Sequence, residues 1–331
     1  MMILAMGLAN IAHYRLRWKY YDKGVKVMAK RNNDYSTRQH MERTDYELFY
    51  YKHKQFKNVS LHHHDFFEVY YFVNGEVEYQ IEGRNYHLFP GDIILVNHKE
   101  LHQAVIGETE KNYERYVLWI NKEYLKSLSS RKTDLTRCFL DKNKKTLLRM
   151  SMENQQLLRG ILDKLHAEET HRGFGEDLLP KALLMELMVE LNRMSFEEEE
   201  TLPPQIKKNQ LIDSVISYIN EHLEEEISMD DLASHFYISK YHLSREFKKY
   251  TGTTLYRYVV QKRLIKAKGL ILEGQPITSV YENCGFGDYS NFFRAFKNEY
   301  GITPKEFLSV MAERENIGLL GTVEDNKGLS F

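Results

Sequence analysis

Three consecutive histidines, His62-His63-His64, stand just ahead of Glu68 in an aromatic-rich stretch, and His102 follows some way downstream. Imidazoles and a carboxylate gathered in this way support two kinds of chemistry. They can hold a divalent transition metal, for which imidazole nitrogen and carboxylate oxygen are ordinary donors. They can also form a hydrogen-bonded cluster lining a pocket for a sugar. The alternation of an extended chain predicts His62, His64 and Glu68 on one face and His63 on the other. Tyr70 and Phe72 continue the Glu68 face, and if Asn74-Gly75 is a two-residue hairpin loop, Tyr79 pairs opposite Tyr70. Such rings suit stacking on the apolar face of a sugar, or filling a barrel.

A second chemistry lies toward the C-terminus. Between 240 and 268 stand Lys240, Arg245, Lys248, Lys249, Arg257, Lys262, Arg263, Lys266 and Lys268, opposed only by Glu246. The chain as a whole has a net charge of −1, so it exerts no global attraction on nucleic acid. A DNA-binding surface must then come from local segregation of charge, which this cluster supplies. The two cysteines, Cys138 and Cys284, are far apart; they make neither a disulfide framework nor a zinc site and suit a reducing cytosol.

The elements that would position these groups differ along the chain. Leu48-Tyr50, Phe66-Val73, Glu76-Ile81, Tyr86-Leu88, Ile93-Val96 and Tyr116-Ile120 read as short strands. Turn chemistry separates them at Asn74-Gly75, Gly83-Arg84-Asn85 and Pro90-Gly91-Asp92, which predicts a sandwich or small barrel. From Tyr124 to Met194 the pattern is helical. Leu147, Leu157, Leu158, Ile161, Leu162 and Leu165 form one stripe, and Pro180 opens a second helix carrying Leu183, Leu184, Leu187, Met188 and Leu191. These stripes serve either packing within the domain or dimerisation. The acidic run and double proline of 196–208 read as a linker. The apolar run 1–12 lacks a preceding basic residue and a following cleavage site, and Arg15 to Tyr21 break it short of the ~20 residues a membrane span needs. A start nearer Met28 also accounts for it.

An internal echo organises the C-terminal region. Residues 244–252 (SREFKKYTG) return as 293–301 (FRAFKNEYG), with Arg, Phe, Lys and Gly at matching places. Upstream of the first copy, Ser228 caps a helix that contains Leu232 and Ala233, and Ser239 caps the next, 240–250, with Leu243 and Phe247 inward. In the second copy Ile277, Val280 and Cys284 line a helix, Gly285-Phe286-Gly287 turns, and Asp288 caps helix 289–300, which buries Phe292 and Phe296. Gly252 and Gly301 end helices where a left-handed residue is wanted. Each copy is a short helix, a tight turn and a second helix with a polar outer face.

These residues resemble the AraC/XylS family of bacterial transcription regulators from about 211 to 308. The shared elements are I-S-x-x-D-L-A, I-S-x-x-x-L-S-R-x-F-K-K-x-T-G, Arg263-Leu264-x-x-Ala267, and I-T-x-V-x-x-x-x-G-F-x-D-x-S-x-F-x-R-x-F-K-x-x-x-G-I-T-P ending at Pro304. Tyr281 stands where the family usually has alanine and Cys284 where it usually has valine, so the second helix crossing must repack. The resemblance implies two helix-turn-helix units joined by a long helix, about 256–272, reading successive major grooves. It places base-reading roles on Tyr241, Ser244, Arg245, Tyr289, Ser290 and Arg294, the arginines matching the O6/N7 edge of guanine. Lys248, Lys249 and Lys297 fall where phosphate contacts are expected. The 60–105 stretch resembles the cupin motifs. His62, His64, Glu68 and Gly75 fit H-x-H-x3-E-x6-G, and Pro90-Gly91-Asp92 with His102 resembles the second motif, at a spacing that departs from the metal-binding form.

The expectation is therefore a multidomain protein: an all-β cupin-like barrel plus helices, then an all-α tandem helix-turn-helix domain. Its parts are 1–44, an N-terminal extension, disordered or mis-started; 45–195, ligand sensing and dimerisation; 196–208, the linker; 209–310, DNA binding; and 311–331, a tail. The ligand pocket is assigned to His62, His64, Glu68 and His102, with a small-molecule effector of the sugar type. No cofactor and no catalytic residue is assigned, and the same four side chains are the candidates should a metal be present. The competing function is a metal-dependent cupin enzyme fused to a DNA-binding module. The regulator reading, an activator, expects double-stranded DNA, a homodimer and RNA polymerase as partners, a cytoplasmic location and no membrane association.

Overall fold

The computed structural model describes residues 41–53, 60–107, 112–196, 206–207 and 209–311. The opening apolar run, most of the expected extension and linker, and the tail beyond 311 lie outside the described residues. Among the described residues the chain divides into two compact units. One holds everything up to Ile216 together with His242–Thr253; the other holds Ser217–Tyr241 together with 254–311.

The first unit is built on two antiparallel sheets. Strands β1 (Tyr46–His53), β2 (Phe67–Asn74), β5 (Ile93–Val96), β7 (Tyr113–Ile120) and β8 (Leu147–Leu148) form one, in the order β1-β7-β2-β5-β8. Strands β3 (Val77–Ile81), β4 (Arg84–His87), β6 (His102–Ile106) and β9 (Ile206–Lys207) form the other, in the order β6-β3-β4-β9. Strand alternation fixes what each sheet buries. Tyr70, Phe72, Val117 and Trp119 point inward with Tyr79, Ile81, Tyr86 and Ala104 of the second sheet and make the barrel core. The opposite faces of the same strands, through Val69, Tyr71, Tyr116 and Leu118, pack on helices α3 (Met152–Glu168) and α4 (Leu179–Phe196). Buried on both faces, β2 and β7 are apolar without a break over Val69–Val73 and Tyr116–Ile120. Two shorter helices, α1 (Lys122–Leu128) and α2 (Arg137–Leu140), precede that pair.

Three sequence expectations change. Asn74-Gly75 does not close a hairpin. Strand β2 already has β7 and β5 as neighbours, so β3 has no free edge to join, and the turn at Gly75 (φ 130) carries the chain into the other sheet. Tyr70 and Tyr79 still meet, 4.9 Å between ring centroids, because both face the barrel interior. The turn placed at Gly83-Arg84-Asn85 falls at Glu82 and Gly83, consecutive residues with φ of 46 and 77, and β4 begins at once with Arg84. Two positive φ values in succession match the twist of the flanking strands. Finally Leu147 is in β8, paired with Ile94, not in a helix; the helical stripe starts only after Ser151, whose side chain caps α3.

The C-terminal elements are α5 (Gln210–Glu221), α6 (Met229–His235), α7 (Lys240–Thr251), α8 (Leu255–Leu272), α9 (Ile277–Asn283) and α10 (Tyr289–Tyr300), with helical residues 304–311 after them. The side chains of Ser228, Thr254 and Asp288 accept the orphan N–H groups of Asp231, Arg257 and Asn291. Each satisfies a donor that the first helical turn leaves open. Gly301, at φ 74, closes α10. Leu264, Ala267, Ile271, Val280, Cys284, Phe292, Phe296 and Phe307 form one buried core that binds α8, α9 and α10 together. Tyr281 lies at the edge of that core with its ring 5.9 Å from that of Tyr289. The larger side chain is thus accommodated toward the surface. Gly285 admits no other residue easily: its φ is +79, and a Cβ there would stand 2.1 Å from the Leu223 carbonyl oxygen. No described helix is long and apolar enough to cross a membrane.

Candidate functional site

The barrel interior brings His62, His64, Glu68 and His102 together, all of them buried. Strand alternation is not what aligns them. Only Glu68 and His102 belong to regular strands; His62 joins the sheet by a single bridge to His102, and His64 lies in irregular chain. Backbone carbonyls set the rings instead. His62 Nδ1 lies 3.0 Å from the Ser60 oxygen, His64 Nδ1 2.9 Å from that of Phe66, and His102 Nδ1 2.9 Å from that of Glu100. A carbonyl only accepts, so each Nδ1 carries the hydrogen. The His64 ring stacks on Phe66 at 4.0 Å, and the rings of His62 and His102 lie 4.4 Å apart.

Glu68 is the centre of this group. Its Oε1 accepts from the Tyr79 hydroxyl at 3.0 Å, its Oε2 from the Trp119 indole at 2.8 Å, and His64 Nε2 stands 3.4 Å from Oε2. Burial works to raise this carboxyl, but its hydrogen bond and electrostatic interaction with His64, and then its interactions with His102 and His62, outweigh it and bring it down to about 2. The group is a buried anion whose lone pairs are partly satisfied by neutral donors, which is what makes its burial tolerable. Burial in turn lowers His62 to about 4 and His102 well below the ordinary imidazole value. The ligand-type atoms of His64, Glu68 and His102 lie within 4.8 Å of one another. These three could hold a metal ion, with His62 beside them.

Two features escape sequence reasoning. Trp119 is the cross-strand partner of Glu68 on β7, a register that no local pattern discloses. Arg115 is also buried on β7, with its guanidinium 4.1 Å over the Tyr113 ring, 4.6 Å over Tyr51, and 3.2 Å from His53 Nδ1. Aromatic faces of this kind stabilise a desolvated cation. The signal was a charge among the inward residues Tyr113, Val117 and Trp119. Next to it the Tyr70 and Tyr113 hydroxyls share a 2.5 Å hydrogen bond.

The residues assigned to DNA stand on α7 and α10. Tyr241, Ser244, Arg245, Lys248 and Lys249 are exposed on α7, while Leu243 and Phe247 of the same helix are buried. Tyr289, Ser290, Arg294 and Lys297 are exposed on α10, opposite the buried Phe292 and Phe296. In the free protein Arg294 donates to Asn291 Oδ1 at 2.7 Å, and Arg245 lies 3.4 Å from Glu246. Surface contacts of this kind are weak and exchange readily for a stronger partner.

Similarity to known proteins follows the same division. The AraC-like ligand binding domain family matches residues 46–188, and the family described as a helix-turn-helix domain matches 232–309. The HTH-type transcriptional activator RhaS of Salmonella paratyphi A (strain ATCC 9150 / SARB42) is 28% identical over 250 residues, covering 74% of this chain and 86% of that protein. RhaS of Klebsiella pneumoniae (strain 342) is 25% identical over 250 residues, with the same coverage of 74% and 86%. Among solved structures, a Listeria innocua protein of unknown function is 30% identical over 31% of this chain and 98% of its own, with a TM-score of 0.30. ToxT of Vibrio cholerae is 15% identical over 80% of this chain and 98% of its own, with a TM-score of 0.33.

Proposed function

The chain belongs to the AraC family of transcription regulators, with an N-terminal ligand-binding domain and a C-terminal helix-turn-helix DNA-binding domain, and from this we propose that its effector is a small polar molecule, a sugar in the first instance, bound around His62, His64, Glu68 and His102. The carrying observation is a buried carboxylate surrounded by imidazoles, a tyrosine hydroxyl and an indole inside a barrel whose core mixes aromatic rings such as Tyr70, Phe72 and Tyr113 with aliphatic side chains. Hydrogen-bonding groups beside aromatic faces suit a molecule with polar edges and an apolar face.

On the DNA side, Tyr241, Ser244, Arg245, Tyr289, Ser290 and Arg294 read base edges, and Lys248, Lys249 and Lys297 contact phosphates. Two recognition helices of one chain enter adjacent major grooves when they stand one helical turn, about 34 Å, apart. The RhaS relatives are named as transcriptional activators; this chain is given the same direction, with RNA polymerase as its protein partner and the cytoplasm as its location. The buried stripes of α3 and α4 serve the domain's own core, so a homodimer through this region would use their outer faces, where Leu157 and Met185 are exposed. The acidic run and double proline of 196–208 read, in the sequence, as a joint between the domains. An effector then acts by favouring one relation of the domains, with a typical coupling of about 1–3 kcal/mol.

The test is a reporter assay. The double variant His64→Ala/Glu68→Gln should lose its response to the effector while the protein still binds its operator. A double variant that responds like the parent moves the pocket elsewhere and returns these four residues to packing.

A further inference from the structure

We propose that Tyr237, in the turn of the first helix-turn-helix, is a DNA contact whose hydroxyl donates to a backbone phosphate at the wall of the groove that α7 enters. The inference rests on the assignment of α7 to a major groove and adds a residue to those named for it above.

The two units close their first helices in the same way. After α6 the N–H of Tyr237 bonds the Ser234 carbonyl at 3.2 Å, and the N–H of Ile238 bonds that of Ala233 at 3.0 Å. After α9 the N–H of Gly285 bonds the Glu282 carbonyl and the N–H of Phe286 that of Tyr281, each at 2.9 Å. This pair of bonds is the Schellman ending, which needs a left-handed residue just past the cap. Tyr237 and Gly285 hold that place, at φ 55 and 79. Glycine adopts the conformation freely, whereas a bulky side chain is strained in it.

The tyrosine does nothing visible for the fold. It is 96% exposed, and among the described residues its side chain makes no hydrogen bond and no ring contact. Phe236 and Ile238 on either side are half-buried, and Phe236 already sets its ring edge-on to Tyr218. A strained residue whose side chain the fold does not use points to a function outside the fold.

Its position says which. Tyr237 stands two residues before Ser239, ahead of the exposed Lys240 and Tyr241 that open α7. In this motif the N-terminal residues of the second helix reach base edges, while the first helix crosses the sugar-phosphate backbone. A turn between the two lies at the groove wall, beside phosphates. Lys240 brings positive charge to the same place and is paired in the free protein with Asp230. The tyrosine hydroxyl can donate, a phosphate oxygen accepts, and tyrosine is among the side chains that bond phosphate. The second unit cannot make this contact. It has glycine there, and a Cβ would stand 2.1 Å from the Leu223 carbonyl oxygen.

The experiment compares variants of the full chain on two duplexes, one selected by the parent chain from a random-sequence pool and one a scrambled version of it. Tyr237→Phe keeps the ring and the strain and removes only the hydroxyl. It should weaken binding to both duplexes alike, by about three- to tenfold, the worth of one neutral hydrogen bond. Losing a neutral donor changes no counterion release, so the slope of log affinity against log salt should stay that of the parent. Tyr237→Gly should lose at least as much affinity and yet unfold at a higher urea concentration, read by circular dichroism, because glycine relieves the strain. Parent-like binding by Tyr237→Phe overturns the proposal. So does a loss confined to the selected duplex, which would make Tyr237 a reader of bases. A Tyr237→Gly chain that unfolds more easily than the parent also overturns it, by returning the tyrosine to the fold. Failure of the α7 assignment itself shows separately, as an Arg245→Ala chain that keeps full preference for the selected duplex.

Discussion

Acid should destabilise the barrel domain partly through a residue outside the ligand cluster, His98. Burial, and then the positive charges of Lys122 and Lys99, lower its imidazole to about 3. The ring also sits edge-on to Phe67, 5.7 Å between centroids. An unfolded chain protonates this group at its ordinary value of 6.5, whereas the folded domain refuses the proton until far lower pH. Its stabilising effect is therefore complete above 6.5 and is lost as pH falls from there toward 3. Between pH 7 and pH 5 the loss from this one group is about 2 kcal/mol. That figure barely depends on the folded value, because at pH 5 the folded imidazole is still almost wholly neutral. His62 and His102 shift in the same direction, so the parent should lose more than His98 alone accounts for. Glu68, at about 2, matters only below the ordinary carboxylate range and adds nothing in this window. Urea titrations at the two pH values, on chelator-treated protein in a Trp18→Phe background, would follow the buried Trp119 as sole tryptophan. His98→Asn should reduce the stability lost between pH 7 and pH 5 by about 2 kcal/mol. An unchanged loss would refute the placement of His98 in a low-dielectric site beside two ammonium groups.

Other outcomes follow from the DNA-binding helices and the helical layer. Arg245→Ala should cost roughly 1–3 kcal/mol of operator affinity and relax preference at one position, whereas Lys248→Ala should weaken all sequences alike and reduce the salt slope by about 1. Competition binding against operator point variants at several salt concentrations separates the two. Gly285→Ala should destabilise the second helix-turn-helix by more than about 1 kcal/mol, because alanine is strained at positive φ and its methyl meets the Leu223 carbonyl. Footprinting should then show protection confined to the half-site of the first unit. Sedimentation of the full chain at micromolar concentration should give a dimer that Leu157→Glu weakens; a monomer would leave α3 and α4 with no role beyond the domain's own core.

The C-terminal half was legible because its determinants are local. Ser228, Thr254 and Asp288 announce helix starts through bonds to residues three positions on, and the spacing of Phe292 and Phe296 announces the buried face of α10. No distant residue can overrule such signals cheaply. The barrel is different, since what a strand does depends on which neighbours are already taken. Asn74-Gly75 carries a strong hairpin signal, yet β2 is flanked on both sides, so the same dipeptide becomes a passage between sheets. Likewise β6, which His102 opens, gives little strand signal of its own, because it is short and begins with two polar residues.

The site shows the same contrast at the scale of single atoms. Residue types identify His62, His64, Glu68 and His102 as a set, but the alternation invoked to align them does not operate, for the chain is irregular at His64 and only bridged at His62. The actual cause of their alignment is three Nδ1–H bonds to carbonyls two residues away, which orient the rings whatever the local strand geometry. Trp119 enters for a different reason. It pairs with Glu68 across a register set by the whole of β2 and β7, including the irregularity between Phe72 and Asn74. A one-residue slip in that register would turn Trp119 to the helix-covered face and leave Glu68 without its indole donor. The hydrogen bonding of the carboxylate therefore depends on the packing that fixes the register. On this view a core substitution on the helical side of β7, at Leu118 for example, changes the barrel's chemistry only if it shifts the strand.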